Sequence, residues 1–156
     1  GNYGSKTQNC QCTSTQIHNY ISRLSGPLLD RIDLHIEADS ITFNELREES
    51  EGESSDAIRA RVEKARAIQI RRFKDTKIFT NAMMTPGMIK KFCPIDRQSE
   101  KLLEEAYKRL SLSARATTRI LKVARTIADI EGKENIESDH VAEAVQYRSL
   151  DRKYWL

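Results

Sequence analysis

Apolar side chains recur at intervals of three and four residues along the second half of the 156-residue chain. Residues 113–130 show this most clearly, with spacings of 4, 3, 4 and 3 between Ala116, Ile120, Val123, Ile127 and Ile130. Such spacing places these side chains on one face of an amphipathic helix. Ser113 is suited to cap the start of this helix, and Gly132 is suited to end it. We therefore predict a helix whose apolar face must be covered by other helices.

Four further segments carry helix start signals and apolar stripes of the same kind. Their predicted starts are Ser54 or Ser55, Pro86, the residue after Asp96, and Ser138 or Asp139. The first of these helices is the longest and runs to about Phe73, with Ile58, Val62 and Ala65 on its inner face. We predict a mainly α fold in which residues 54–156 form a helical bundle.

The first forty residues show a different pattern. Thr13 or Ser14 can cap a helix that Gly26-Pro27 ends. Residues 33–38 alternate apolar and polar side chains, which predicts a short strand. Since one strand is not stable by itself, we predict that residues 1–40 are the C-terminal remnant, one helix plus one strand, of a larger α/β unit.

Charge is unevenly placed along the chain, whose formal net charge is +3. Residues 1–56 hold 4 Lys and Arg against 10 Asp and Glu, whereas residues 57–156 hold 22 against 13. Residues 41–53, which combine acidic side chains with Gly and Ser, are predicted to form a solvated linker. The two regions are therefore expected to have different roles.

Several classes of protein are disfavoured by what the sequence lacks. It has no glycine-rich phosphate loop, zinc-protease helix motif or nucleophile elbow, so catalysis by this chain alone is not expected. No apolar run approaches the roughly 18 residues of a membrane span, and no signal peptide is recognisable. We expect a cytoplasmic protein that does not enter a membrane.

The three cysteines are an odd number, which argues against a disulfide framework. Cys10 and Cys12 are the only close pair, but a tetrahedral zinc site needs four ligands and no second pair follows. Cys93 is most simply a small buried hydrophobic residue.

Arg31 stands among apolar residues in the segment GPLLDRIDL, residues 26–34, on a turn that follows a Gly-Pro pair. One interpretation is a local ion pair with Asp30 or Asp33 on either side. The other is that the turn holds the guanidinium rigidly, so that it meets an anion outside this domain. The segment by itself is compatible with both.

Three cations share one face at the start of the helix predicted from residue 113, namely Arg115, Arg119 and Lys122. Cations are unfavourable near a helix N-terminus, and each like-charge pair at this spacing costs about a few tenths of a kcal/mol. Backbone N–H groups at such a terminus also bind anions. A solvated basic face, or a local pair with Glu104 or Glu105, is the alternative, but together with Arg31 the cluster favours phosphate.

Two segments resemble the same protein family. GPLLDRIDLHIEA at residues 26–38 and LSARATTRILKVARTIADIEG at residues 112–132 resemble the magnesium-chelatase-like AAA+ ATPases, specifically their ComM branch. The resemblance implies that residues 1–40 end an AAA+ α/β core and that residues 54–156 form its helical lid. The phosphate loop, the Mg²⁺-binding acidic motif and the sensor-1 segment are then expected ahead of residue 1.

The resemblance also implies roles for single residues. The segment around Arg31 matches the family's arginine finger, so Arg31 would reach the γ-phosphate of ATP bound in the neighbouring subunit, with Asp30 and Asp33 orienting it. Arg115 matches the sensor-2 arginine and would contact the phosphates of its own subunit's nucleotide. Arg119 is a weaker nucleotide-binding candidate.

The resemblance implies ATP and Mg²⁺ as cofactors. It implies two kinds of partner, further copies of the protein in a homo-hexamer, and DNA. Branch migration or remodelling of that DNA would serve recombination or natural transformation. The resemblance further implies two cysteines ahead of Gly1, which with Cys10 and Cys12 would form a zinc site. Two alternatives stay open. One is a chelatase-type ATPase subunit that remodels a metal-inserting partner, and the other is a non-enzymatic helical module that binds nucleic acid through basic residues 57–73.

Overall fold

The computed structural model of the chain describes residues 1–5, 8–38, 41, 43, 47 and 52–148. Within these residues the chain is mainly α-helical, as predicted. The helices are α1 (Ser14–Ile21), α2 (Gly26–Leu29), α3 (Ser55–Arg72), α4 (Pro86–Phe92), α5 (Arg97–Leu110), α6 (Ala114–Ile130) and α7 (Ser138–Gln146), with a 3₁₀ turn at Asn81–Met83. The described residues contain a single isolated parallel bridge, between Ile95 and Ile136, and no longer strand.

Side-chain caps begin several helices where the sequence predicted them. Thr13, Ser54, Asp96 and Ser113 each accept a hydrogen bond from the backbone N–H three residues later. Each cap of this kind stabilises its helix by about 1 kcal/mol. Gly132, directly after the C-cap of α6, has a φ of +72°, a left-handed conformation that glycine adopts without strain. These starts and this end are confirmed.

The central helix is α6, which packs against α3, α4, α7 and the 3₁₀ turn, while α5 packs against α7. The inner face of α6 consists of Ala116, Ile120, Ala124 and Ile127, all buried. Its two alanines are almost fully buried, which lets neighbouring elements approach its backbone closely. The predicted helical domain is therefore a set of helices arranged around one of them.

A buried carboxylate joins three of these elements. Asp129, near the end of α6, is 1% exposed. It accepts hydrogen bonds from Arg72 of α3 at 2.7 Å, from Asn81 of the 3₁₀ turn at 2.8 Å and from Arg125 of its own helix at 3.1 Å. Because an unpaired buried ion is strongly unfavourable, each of these polar groups needs the others. The network therefore ties α3 and the 3₁₀ turn to α6.

The strand predicted over residues 33–38 is wrong. Residues 34–38 have no regular secondary structure, and Leu34 and Ile36 are exposed. The alternation has the predicted period, but His35 is the side chain that is buried. A strand needs a neighbouring strand to bond its backbone, and the described part of the chain provides none.

Two predictions about helices also differ from the structure. α1 ends before Gly26-Pro27, and this pair begins α2 instead, because proline is well accommodated in the first turn of a helix. Ile58 and Val62, predicted to face inward, are 42% and 46% exposed. The buried positions of α3 begin only at Ala65, since its second half is the part that packs on the domain.

Most of the predicted linker, residues 41–53, and residues 149–156 of the predicted lid lie outside the described residues. Among the helices that the structure does describe, none combines the length and the apolar character needed to cross a lipid bilayer.

Replacing Asp129 by alanine is expected to lower the free energy of unfolding by about 3 to 5 kcal/mol, because Arg72 and Arg125 would remain buried without their shared counterion. Urea unfolding of the 156-residue chain, followed by circular dichroism at 222 nm, measures the change. Asp75→Ala, at an exposed aspartate, is the matched control and is expected to change stability by less than about 0.5 kcal/mol. Equal stability of the two variants would contradict the importance of the buried network.

Candidate phosphate-contacting site

Residues 26–35 lie against the start of α6 and the end of α7. The Arg119 guanidinium, on α6, donates a hydrogen bond to the backbone carbonyl of Arg31 at 2.5 Å. The backbone N–H of His35 donates to the carbonyl of Tyr147, just past α7, at 2.8 Å. The structure therefore brings together the two segments that the sequence singled out separately.

The Arg31 side chain is exposed and folds back onto α2. Its Nη1 donates a hydrogen bond to the carbonyl oxygen of Pro27 at 2.8 Å. Among the described residues, no carboxylate forms an ion pair with this guanidinium. A neutral carbonyl at the surface is a weak partner for a cation, so an arriving anion can replace it.

Asp30 lies at the N-terminus of α6. Ser113 Oγ donates to Asp30 Oδ1 at 2.8 Å, while the same hydroxyl accepts the capping bond from Ala116 N–H at 3.0 Å. Arg115 Nη1 lies 3.9 Å from Asp30 Oδ2. A carboxylate is favourable at the positive end of a helix dipole. The anion that the sequence pattern favoured at this terminus is therefore supplied here by the chain itself.

Asp33 forms an ion pair with Arg119. Asp30 and Asp33 thus bond to groups of α6, and among the described contacts neither acid bonds the Arg31 guanidinium. Their role in orienting Arg31 stays a prediction. The two acids contact the cations and the N-terminus of α6, whereas the Arg31 guanidinium bonds to the carbonyl of Pro27. Glu104 is also not the partner of the α6 cations, since it pairs with Lys108 of its own helix at 2.6 Å.

Lys122, the third cation of the predicted face, is engaged elsewhere. Its Nζ donates to the carbonyl of Ala82 in the 3₁₀ turn at 2.7 Å. Partial burial lowers the pKa of Lys122, and the positive charge of Arg119 lowers it further. Arg115 and Arg119 are therefore the cations of α6 that lie beside the Arg31 turn.

Sequence reasoning missed Arg148. This residue follows α7, is 1% exposed and donates to the backbone carbonyl of Ile32. Its Nη2 also lies 3.7 Å from Asp30 Oδ1. No local signal could have revealed this role, because the bonded carbonyl lies 116 residues earlier in the chain.

Cys10 and Cys12 are partly buried, and both thiols lie beside Gly1. A hydrogen bond from the backbone N–H of Cys12 lowers the pKa of the Cys10 thiol. Across the described ranges, no group of three or more His, Cys, Asp or Glu side chains is arranged to hold a metal ion. These two cysteines could thus provide only half of a zinc site, and the zinc site stays a prediction. Cys93 is buried as expected.

Two sequence models of one family match the chain on either side of the predicted linker. Residues 52–148 match magnesium chelatase, subunit ChlI C-terminal, and residues 1–46 match magnesium chelatase, subunit ChlI. The first match covers more than half of the 156 residues. The chain therefore belongs to the magnesium-chelatase-like AAA+ family, and its helical part corresponds to the C-terminal domain of that family.

Individual relatives narrow the position within the family. The chain is 43% identical over 143 residues to the uncharacterized protein YifB of Salmonella typhimurium and 43% identical over 138 residues to the competence protein ComM of Haemophilus influenzae. It is 41% identical over 143 residues to YifB of Escherichia coli. These alignments cover 91%, 88% and 91% of this chain. The chain spans only 28%, 26% and 28% of the relatives' lengths, about a quarter.

The cysteines give a test of the structure around them. Burial raises the pKa of Cys93 to about 11, so at pH 8 only about one thiol in a thousand is ionised, and the thiolate is the reactive form. Iodoacetamide at pH 8 is expected to modify Cys10 and Cys12 in the folded chain, and Cys93 only after urea is added. Intact mass spectrometry counts the additions, and Cys93→Ala, with two additions in either condition, is the control. Three additions without urea would contradict the burial of Cys93.

Proposed function

We propose that this chain supplies an arginine finger and a sensor-2 arginine to the ATPase site of a hexameric, cytoplasmic AAA+ protein of the ComM type. Arg31 contacts the γ-phosphate of ATP bound by the neighbouring subunit. Arg115 contacts the phosphates, with Arg119 beside it. ATP and Mg²⁺ bind in the α/β core to which residues 1–40 belong, and hydrolysis drives branch migration or remodelling of DNA.

The observation that supports this proposal is the position of the Arg31 turn against the start of α6. Asp30 pairs with Arg115, and the backbone carbonyl of Arg31 accepts a hydrogen bond from Arg119, so Arg115 and Arg119 lie beside the turn that carries Arg31. The Arg115 side chain is 58% exposed, and its ion pair with Asp30 is long. Exposed pairs of this kind contribute about 0 to 1 kcal/mol. A phosphate group, with more charge and more acceptor oxygens, can therefore displace Asp30 from Arg115 at small cost.

The contact between the Arg31 turn and α6 also bears on which nucleotide Arg115 contacts. The sequence resemblance assigned Arg31 to the neighbouring subunit's nucleotide and Arg115 to that of its own subunit. Contact between Asp30 and Arg115 supports a single nucleotide for both arginines. We therefore propose that Arg31 and Arg115 of one subunit act together on the ATP of the next subunit.

DNA as the substrate rests on the similarity to a protein named for competence. The second candidate function is that of a chelatase-type ATPase subunit, which the name of the matching family supports. Such a subunit would use the same arginines but act on a different partner. The non-enzymatic nucleic-acid module is less favoured. Three cations of α3 are paired with acids, namely Arg59 with Asp56, Arg61 with Glu53 and Arg72 with Asp129.

Arg31→Ala in the longer ATPase that contains this chain is expected to lower kcat for ATP hydrolysis by about a thousandfold or more, while ATP binding stays nearly unchanged. A finger stabilises charge that develops in the transition state, and the bound ground state benefits little. Steady-state hydrolysis and the binding of a fluorescent ATP analogue measure the two effects. Arg66→Ala, which removes an exposed arginine of α3, is the control. Normal hydrolysis by Arg31→Ala would return this residue to a structural role.

Arg115→Ala is expected to weaken both nucleotide binding and hydrolysis, because this arginine contacts the phosphates before and during reaction. Mixed hexamers test from which subunit it acts. If both arginines act from the same subunit, mixing Arg31→Ala with Arg115→Ala subunits restores no activity, since neither variant offers a complete pair to its neighbour. Recovery in verified mixed hexamers would instead place Arg115 in the subunit that binds the nucleotide.

A further inference from the structure

Arg148 is the most deeply buried arginine of the described chain, and its partners belong to the segment that carries Arg31. Its side chain is 1% exposed. Nη1 donates to the backbone carbonyl of Ile32, and Nη2 lies 3.7 Å from Asp30 Oδ1. These two partners are the residues immediately before and after Arg31 in the sequence.

A buried guanidinium keeps its charge and needs acceptors, because the interior offers no water to replace them. For Arg148 these acceptors come from residues 30 and 32, more than a hundred positions away in the chain. The burial of Arg148 and the position of this turn therefore depend on each other. A change that moves the turn away removes these two acceptors from a buried cation.

The same contacts hold the backbone of Arg31 without holding its side chain. Arg148 bonds the carbonyl of Ile32, and Arg119 bonds the carbonyl of Arg31 itself. The Arg31 guanidinium is exposed and bonded only to the carbonyl of Pro27 among the contacts described for it. Its Cα is therefore fixed on the surface of the lid, while its side chain is free to exchange that carbonyl for an anion.

We propose that Arg148 is a positioning residue that sets the location of Arg31 for phosphate contact. Arg148 does not contact the nucleotide, and it acts only through the turn at residues 30–32. Because Arg148 directly follows α7, and α7 packs on α5 and α6, the position of Arg31 is coupled to the position of the lid. The catalytic part of this inference rests on the proposed function, whereas the positioning of the turn does not.

Hydrogen–deuterium exchange of the 156-residue chain tests the positioning by itself. Arg148→Gln is expected to speed exchange of the backbone amides in peptides covering residues 30–36 by at least about tenfold, because the His35 N–H bond to Tyr147 opens with the turn. Arg125→Gln is the matched control, since Arg125 is 2% exposed and donates to the carbonyls of Lys133 and Glu134, away from the turn. Unchanged exchange in Arg148→Gln, or the same change in both variants, would overturn the positioning.

ATP hydrolysis by the longer protein tests the catalytic part. Arg148→Gln is expected to lower kcat by about ten- to a hundredfold with KM for ATP changed less than about twofold, since a displaced finger loses transition-state contact. In a variant that already carries Arg31→Ala, Arg148→Gln is expected to cause no further loss of kcat. Radiolabelled ATP makes the low residual rate of this variant measurable. Arg148→Lys, which keeps the charge beside Asp30, is expected to recover part of the activity and remains informative if Arg148→Gln does not fold.

The two experiments distinguish a failure of the proposed function from a failure of the proposed role of Arg148. If Arg31→Ala leaves hydrolysis unchanged, the proposed function is wrong, and the exchange experiment still decides whether Arg148 holds the turn. If Arg31→Ala lowers hydrolysis as expected but leaves a measurable residual rate, and Arg148→Gln lowers the rate by the same factor with and without Arg31→Ala, then Arg148 does not act through Arg31 and the catalytic part of the proposal is overturned. Arg125→Gln, which affects only the stability of the domain, is expected to lower hydrolysis by the same factor with and without Arg31→Ala.

Discussion

The pairing of arginines that are wholly or largely buried constrains where several elements of this domain lie. The side chains of three arginines are only slightly exposed: 14% for Arg72, 3% for Arg125 and 1% for Arg148. Apolar burial would be satisfied by many packings of the same helices, whereas each buried cation needs acceptors in particular places. Asp129 serves the first two arginines, and Asp30 with the carbonyl of Ile32 serves the third. The paired charges therefore restrict where α3, the 3₁₀ turn and residues 30–32 can lie in the folded domain.

These two clusters lie at opposite ends of α6. Asp129 is in the last turn, and Ser113 with Asp30 is at the first. A helix of 17 residues is about 25 Å long, so the buried network and the candidate site are well separated. Substitutions at one end are expected to leave the other intact, which lets stability and phosphate contact be studied separately.

At the candidate site the chain supplies its own anion. Asp30 accepts a hydrogen bond from Ser113 and pairs with Arg115 at the positive end of the α6 dipole. This carboxylate offsets part of the repulsion among the cations near the helix terminus. A phosphate that binds here replaces Asp30 as the counterion of Arg115. The free energy lost with the Asp30–Arg115 pair is then subtracted from the free energy gained by the phosphate contacts.

The sequence by itself determined the elements whose causes are local. Helices begin after Thr13, Ser54, Asp96 and Ser113 because a side chain bonds a backbone N–H three residues away, and such a signal needs no distant partner. The apolar spacing of α6 likewise predicted that Ala116, Ile120 and Ile127 are buried, whereas Ile130, predicted on the same face, is 42% exposed. Resemblance, also read from the sequence, identified the family and pointed to Arg31 and Arg115.

Tertiary structure decided everything that depends on contacts between distant residues. The alternating residues 33–38 predicted a strand, but strand formation requires a neighbour, and this segment instead buries His35 against the end of α7. A local pair of Asp30 or Asp33 with the adjacent Arg31 was one of two open interpretations, yet in the structure Arg115 and Arg119 of α6 pair with these acids. Arg148 carried no signal at all, because its acceptor is 116 residues away. Sequence patterns report short-range energetics, whereas the partner of a buried charge is chosen only when the whole chain is folded.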